Sequence, residues 1–267
     1  MTVRVGLSLP SFVEDPEIPI AVARAAEAAE LDAVFVFDHL WRGDPPHRRP
    51  ALECFALLGA VAAETTHIRV GTLVARATLR PPATLANCFA TAQRVSGGRL
   101  IAGIGAGDSQ SRAENEAFGL DFGTMTDRVF ALHDAVRATH GRDYPVWIGG
   151  RVAQVRAIVA LADGWNAWGG SPADLARSER LVREIAPAAT ITWGGLVLTG
   201  DDDEAASAKA ASRSLAPGVL VGGPTRIADG FAEYVARGAE WVIAGPIDSS
   251  DPHNATLLGE VRARLNA

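Results

Sequence analysis

At 267 residues, with 48% hydrophobic and 21% charged residues, the chain holds enough apolar material for one large α/β core. A net charge of −6 with no basic block argues against a nucleic-acid partner, and the longest weakly polar run, near Cys54 to Ala63, is too short to span a bilayer. Two cysteines, Cys54 and Cys88, sit inside helical patterns and six scattered histidines lack metal-ligand spacing, so the expectation is reduced thiols, no metal site and, with no signal-peptide pattern ahead of the first strand, a cytoplasmic protein.

The elements alternate from the start. Val3 to Leu9 reads as strand one, and Ile18, Val22, Ala25, Ala26 and Ala29 mark one face of the following helix. Ala33 to Phe37 is a continuous apolar run, the signature of a parallel strand buried on both faces, and it stops at Asp38, His39 and Trp41. A loop from Arg42 to Arg49 precedes helix two, whose expected stripe is Leu52, Phe55, Ala56, Gly59 and Ala63, with Glu53 in its first turn. Strand three is Ile68 to Val74, and Pro81-Pro82 opens helix three, which closes at Ser96-Gly97-Gly98. Strand four, Arg99 to Ile104, runs into Gly105-Ala106-Gly107-Asp108, and a polar connection from Ser109 to Gly123 leads to a helix over Thr124 to Thr139. Strand five (Pro145 to Ile148), helix five (Val152 to Leu161) and strand six (Gly164 to Trp168) follow. Ser171-Pro172 is an N-cap with proline at the first helical position, starting helix six. Strand seven is Thr190 to Leu198; helical stretches cover Asp202 to Ser212 and Thr225 to Ala236; strand eight is Glu240 to Gly245; and a last helix buries Leu257, Leu258, Val261 and Leu265.

Eight strand–helix units in alternation, with no linker or break in composition, predict one closed (β/α)₈ TIM barrel spanning residues 1–267. In such a barrel the C-terminal ends of the strands open on one mouth, which collects Asp38, His39 and Trp41, then Thr72 to Ala75, then Gly105 to Asp108, then Gly149-Gly150-Arg151 and Trp168. Two readings stand for Asp38 and His39: a carboxylate and an imidazole placed for chemistry, or a loop cap beside an ordinary polar neighbour. The glycines either bring backbone N–H groups close to a ligand or make tight turns; Gly149-Gly150-Arg151 ahead of a helix is suited to hold a phosphate. The run Gly103-x-Gly105-x-Gly107-Asp108 does not make a dinucleotide fingerprint, because the third glycine would have to stand at position 108 and open a helix, and a doubly wound fold does not predict eight alternations.

Six short segments occur in a telling order: Phe37-Asp38-His39-Leu40-Trp41, Ile68 to Val74, Ser96 to Leu100, Gly103 to Asp108, Pro145 to Gly150, and Ala162 to Asn166. Together they resemble the bacterial luciferase-like flavin and deazaflavin oxidoreductases, over nearly the whole chain. The resemblance implies the same barrel, with short insertions after strands four and seven, and a flavin-type ring in its mouth. It implies that Thr72, Leu73, Val74 and Ala75 form a bulge behind that ring, that Gly105, Ala106 and Gly107 line its side, and that Gly149, Gly150 and Arg151 take its phosphate. The Asp38-His39 pair tilts the expected cofactor toward the deazaflavin coenzyme F420, with FMN as the alternative. The activity implied is hydride transfer to or from a small organic substrate, with His39 as acid/base, Asp38 orienting it, Asp108 as a second acid/base, and Trp41 and Trp168 walling the substrate. The alternatives are an FMN-dependent monooxygenase using O₂ and a non-catalytic flavin-binding protein. The family also implies a homodimer through helices two and three. Asn87 and Gln93 depart from the family's usual lysine and aspartate, so a charge pair on helix three is expected to be missing.

Overall fold

A computed structural model describes residues 2–42, 49–108 and 111–267. The chain begins with β1 (Arg4–Ser8), α1 (Glu17–Ala28) and β2 (Ala33–Val36), then a small antiparallel pair, β3 (Trp41–Arg42) with β4 (Arg49–Pro50). It continues through α2 (Cys54–Glu64), β5 (Arg69–Arg76), α3 (Pro82–Val95), β6 (Leu100–Gly105), α4 (Arg112–Ala117) and α5 (Met125–Ala138). Next come β7 (Val146–Gly149), α6 (Val152–Val159), β8 (Gly164–Trp168), α7 (Pro172–Ile185) and β9 (Thr190–Thr199). The last elements are α8 (Asp203–Ala211), β10 (Leu220–Gly222), α9 (Pro224–Val235), β11 (Trp241–Pro246) and α10 (His253–Leu265).

Parallel pairing runs β1-β2-β5-β6-β7-β8-β9-β11 and returns to β1, which closes the (β/α)₈ barrel; β10 adds a ninth strand beside the C-terminal end of β9. The continuous apolar run of β2 serves two cores at once. Ala33 and Phe35 point into the barrel with Ile101, Trp147, Trp241 and Ile243, whereas Val34 and Val36 point out to the helical layer. The barrel interior is filled by rings, with Trp147 edge-on to Trp241 at 5.2 Å and 5.8 Å from Phe35. Neighbouring strands leave room for them: a Cβ on Gly164 would stand 2.6 Å from Trp147 Cδ1.

The N-terminal end of the barrel is fastened by polar groups. Arg99 donates to the backbone carbonyls of Ala62, Thr65, Ile68 and Ser96, tying the ends of α2 and α3 to the start of β6. Gln93 accepts from Leu100 N at 3.1 Å and donates to Asp143 O at 3.1 Å, so this neutral residue brackets α3 to the start of β6 and to the segment ahead of β7.

Three features differ from the sequence reading. Helix α4 lies inside the connection that was expected to lack structure; its buried residues are Glu114 and Asn115, so no apolar period marks it. Helix α2 buries Cys54, Leu57, Leu58, Val61 and Ala62 rather than the expected stripe, because a helix apolar nearly all round has no periodicity to choose a face. Strand β10 and the β3–β4 pair are two or three residues long, too short to leave a period in the sequence. Most of the expected loop from Arg42 to Arg49, and Ser109 at the start of the next connection, fall outside the described residues. Among the described residues no helix is long and apolar enough to cross a membrane, and no cluster of His, Cys, Asp or Glu has the makings of a metal site. Cys54 is buried in α2 and Cys88 half-buried in α3, both as free thiols.

Candidate active site

The C-terminal ends of the strands surround a cleft of about 1090 Å³, and every barrel strand reaches it, through Ser11 and Phe12 beyond β1, His39 beyond β2, Val74 on β5, Gly105 on β6, Gly149 on β7, Trp168 on β8, Leu196 on β9 and Pro246 on β11. That volume is at the upper end for a small-molecule site, where pockets run from roughly 300 to 1,000 Å³.

His39 stands on one wall, its ring packed against the paired rings of Phe12 (5.6 Å between centroids) and Phe37 (5.9 Å). Its Nδ1 lies 2.8 Å from Oε1 of Glu114, a residue of α4 that sequence reasoning passed over. Glu114 is buried; it faces His39 Nδ1, accepts from Leu40 N at 2.6 Å and Trp41 N at 3.2 Å, and is ion-paired with Arg76 Nη1 at 3.0 Å. Burial alone would raise its carboxyl pKa. The hydrogen bonds from His39 and Leu40 N, with the nearby charges of His39 and Arg76, reverse that and bring it down to about 2. The carboxylate is therefore ionised at any ordinary pH. Arg76 is 3% exposed; Nε donates to Asp38 O at 2.6 Å and Nη1 to Asn115 Oδ1 at 2.8 Å, while Nη2 has no partner among the described residues and the side chain lines the cleft. Burial pulls the Arg76 guanidinium down, against the acids around it. Ser11 Oγ, fully buried at the same cleft, likewise has no partner among the described residues.

Asp38 does not do what the sequence suggested. It is 2% exposed and not on the cleft wall. Its carboxylate accepts from Arg76 N at 3.0 Å and from Arg80 Nη1 at 2.6 Å and Nη2 at 3.3 Å. Arg80 in turn holds Glu53, which caps α2 by accepting from Ala56 N at 2.7 Å. Asp38 thus ties three elements together, and the partner of His39 Nδ1 is Glu114. Asp108 does line the cleft, and its Oδ1 accepts from the N and Oγ of Ser111, each at 3.0 Å, at the entry to α4.

The strand-three expectation divides in the same way. Between the pairs Thr72–Ala102 and Ala75–Ile104 the β5–β6 register shifts, leaving a bulge at Leu73 and Val74 with a cis peptide bond between them. Leu73 and Val74 line the cleft. Thr72 and Ala75 are buried behind it, Thr72 donating its hydroxyl to Gly103 O at 2.6 Å. The Val74 side chain is keyed between two glycines: a Cβ on Gly105 would stand 2.4 Å from its Cγ2, and one on Gly149 3.1 Å from its Cγ1. Gly105, Ala106 and Gly107 continue the wall, and Gly149 and Gly150 form the next turn, where Gly150 has φ 125° and its carbonyl accepts from Trp165 Nε1 at 2.9 Å. Arg151 is exposed at the N-cap of α6, off the wall, so the turn approaches the cleft as bare backbone without that cation. Trp41 and Trp168 both face the cleft, Trp41 beside Phe118 at 5.5 Å and Trp168 half-exposed over Gly194.

The profile of the luciferase-like monooxygenase family matches residues 3–219. An F420-dependent glucose-6-phosphate dehydrogenase of Nakamurella multipartita is 35% identical over 134 residues, a match that takes in 49% of this chain and 37% of that enzyme. The chain thus spans well under half the length of such curated relatives. In fold, an F420-dependent secondary alcohol dehydrogenase solved with an F420–acetone adduct superposes with a TM-score of 0.82 at 15% identity, covering 100% of both chains. The EDTA monooxygenase of Chelativorans sp. BNC1 superposes equally well, with a TM-score of 0.82 at 13% identity, covering 100% of this chain and 95% of the other. With the barrel, the bulge and the profile in agreement, the chain belongs to the luciferase-like monooxygenase family.

Proposed function

We propose that the protein is an oxidoreductase that uses the deazaflavin coenzyme F420 and oxidises or reduces a small organic substrate. The observation that carries this reading is the wall made by the Leu73–Val74 bulge and the glycines keyed to it, facing a cleft that also holds the His39–Glu114 pair. A flat ring needs a firm wall without projecting side chains, and this wall is built that way. Family membership and the similarity to F420-dependent dehydrogenases support the choice of coenzyme.

The coenzyme, when bound, supplies the two-electron hydride chemistry. The chain does the rest. Leu73, Val74 and Gly105 to Gly107 hold the ring plane, and the Gly149-Gly150 turn offers backbone to the phosphate end. Trp41 and Trp168 flank the substrate and exclude water. His39 carries the proton that accompanies oxidation or reduction, since an imidazole nitrogen can both accept and return a proton. Asp108 is a second proton carrier within the same cleft.

Substrate-dependent change of F420 absorbance across a panel of alcohols, aldehydes and ketones tests the activity. In that assay His39→Ala should lose about 100- to 10,000-fold in kcat, the usual worth of general acid–base catalysis, while coenzyme affinity stays within a few-fold. Turnover of His39→Ala within a few-fold of the parent would remove the proton role. Oxygen uptake with reduced FMN, and no turnover with F420, would replace the whole reading by a monooxygenase.

A further inference from the structure

We infer that Glu114 is the positioning residue of the site, holding neutral His39 with its hydrogen on Nδ1 and its lone pair on Nε2. The inference rests on the proposed role of His39 and deepens it by fixing which form of the ring meets the ligand.

The argument is one of donors and acceptors. An ionised carboxylate has no hydrogen to give, so across the 2.8 Å contact with Glu114 Oε1 it is His39 Nδ1 that must carry the hydrogen. The carboxylate cannot escape this duty by protonation or by turning. Arg76 Nη1 presses on the same Oε1 at 3.0 Å, and Leu40 N and Trp41 N occupy Oε2 at 2.6 and 3.2 Å. Both oxygens therefore face donors only. Phe12 and Phe37, in contact with each other, pack together against the imidazole. With Nδ1 engaged, Nε2 is the ring nitrogen left for a ligand in the cleft that His39 lines. A neutral His39 then enters the reaction as a proton acceptor at Nε2, and once protonated it becomes an imidazolium stabilised by Glu114. Free imidazole side chains favour the opposite tautomer, with the hydrogen on Nε2, so the assignment is a departure that can be seen. Other charged groups near His39 have different duties: Asp38, on the same segment, faces Arg80 and Arg76 N, and Asp108 holds Ser111.

The test reads the ring directly, with no coenzyme or turnover. In cofactor-free protein labelled with ¹⁵N-histidine, the His39 signals are assigned by their loss in His39→Gln. At a pH where His39 is neutral, Nδ1 should resonate as a protonated nitrogen and Nε2 as an unprotonated one. A His39 with its hydrogen on Nε2 overturns the inference. In Glu114→Ala the acceptor opposite Nδ1 is removed, and the tautomer preference should weaken or reverse. A preference unchanged in a folded Glu114→Ala protein also overturns the inference, and if that variant does not fold, the parent spectrum decides alone. Failure here is distinguishable from failure of the functional reading, because binding of F420 is measured separately and the tautomer needs none.

Discussion

Glu114 makes a prediction in stability as well as in chemistry. Its carboxyl is depressed from 4.5 to about 2 in the folded chain, so its contribution is fully present above about pH 4.5 and is lost as pH falls toward 2. The shift corresponds to roughly 3 kcal/mol. Urea midpoints measured between pH 6 and pH 2.5 should therefore fall more steeply for the parent than for Glu114→Gln, which has no carboxyl to protonate; parallel slopes would show that the carboxylate is not held as the structure draws it. Residues at this scale were unevenly legible in the sequence. His39, Trp41 and Asp108 stand directly after apolar strands, where a barrel puts its mouth, and all three line the cleft. Asp38 had the same credentials, yet it faces inward, because Arg80 and the Arg76 amide sit 38 to 42 residues along the chain in a place no periodicity reveals. Glu114 and Arg76 were passed over for a similar reason: a buried charge is recognised only once its partner is known, and these two partner each other across α4 and β5.

At the scale of elements, the bulge wall depends on glycines that play different parts. A Cβ on Gly103 would stand 2.0 Å from Thr72 O, a backbone atom that cannot step aside without moving β5. Gly103→Ala should cost about 1–3 kcal/mol or more in urea unfolding, as overpacking does. On Gly105 the obstacle is the Val74 side chain, so Gly105→Ala should show a smaller loss of stability and a larger loss of coenzyme affinity, read by fluorescence titration, because it pushes the wall itself. Arg99 serves the opposite end of the barrel. Its replacement by Met would leave four backbone carbonyls short of a donor and should cost about 2–4 kcal/mol with little change in coenzyme binding. The strands and long helices were readable because burial on both faces or on one face leaves a period in the sequence. Helix α7 was readable at its start, where Ser171 and Asp174 form the capping box around Pro172. Helix α4 was not, because its inward face is Glu114 and Asn115, and the face of α2 was not, because an almost wholly apolar helix fits a core either way round.

For the whole molecule, strict alternation was enough to give the barrel, since each strand pairs with the next strand of the ring and only the β11–β1 pairing spans the chain. That closure is reinforced by Asn266, which accepts from Val3 N at 2.8 Å and donates to Val3 O at 2.9 Å, and by Arg262 on Asp32 at 2.8 Å. Closure in turn brings eight strand ends around one cleft, so residues from Ser11 to Pro246 share a single wall. What the ring of strand ends holds is the central claim, and the measurement that tests it most directly is equilibrium titration of the cofactor-free protein with oxidised F420 and, separately, with FMN. The account predicts saturable binding of F420, weaker or no binding of FMN, and a weakened F420 titration in Gly105→Ala. Saturable binding of FMN with none of F420, or binding of neither, would contradict it.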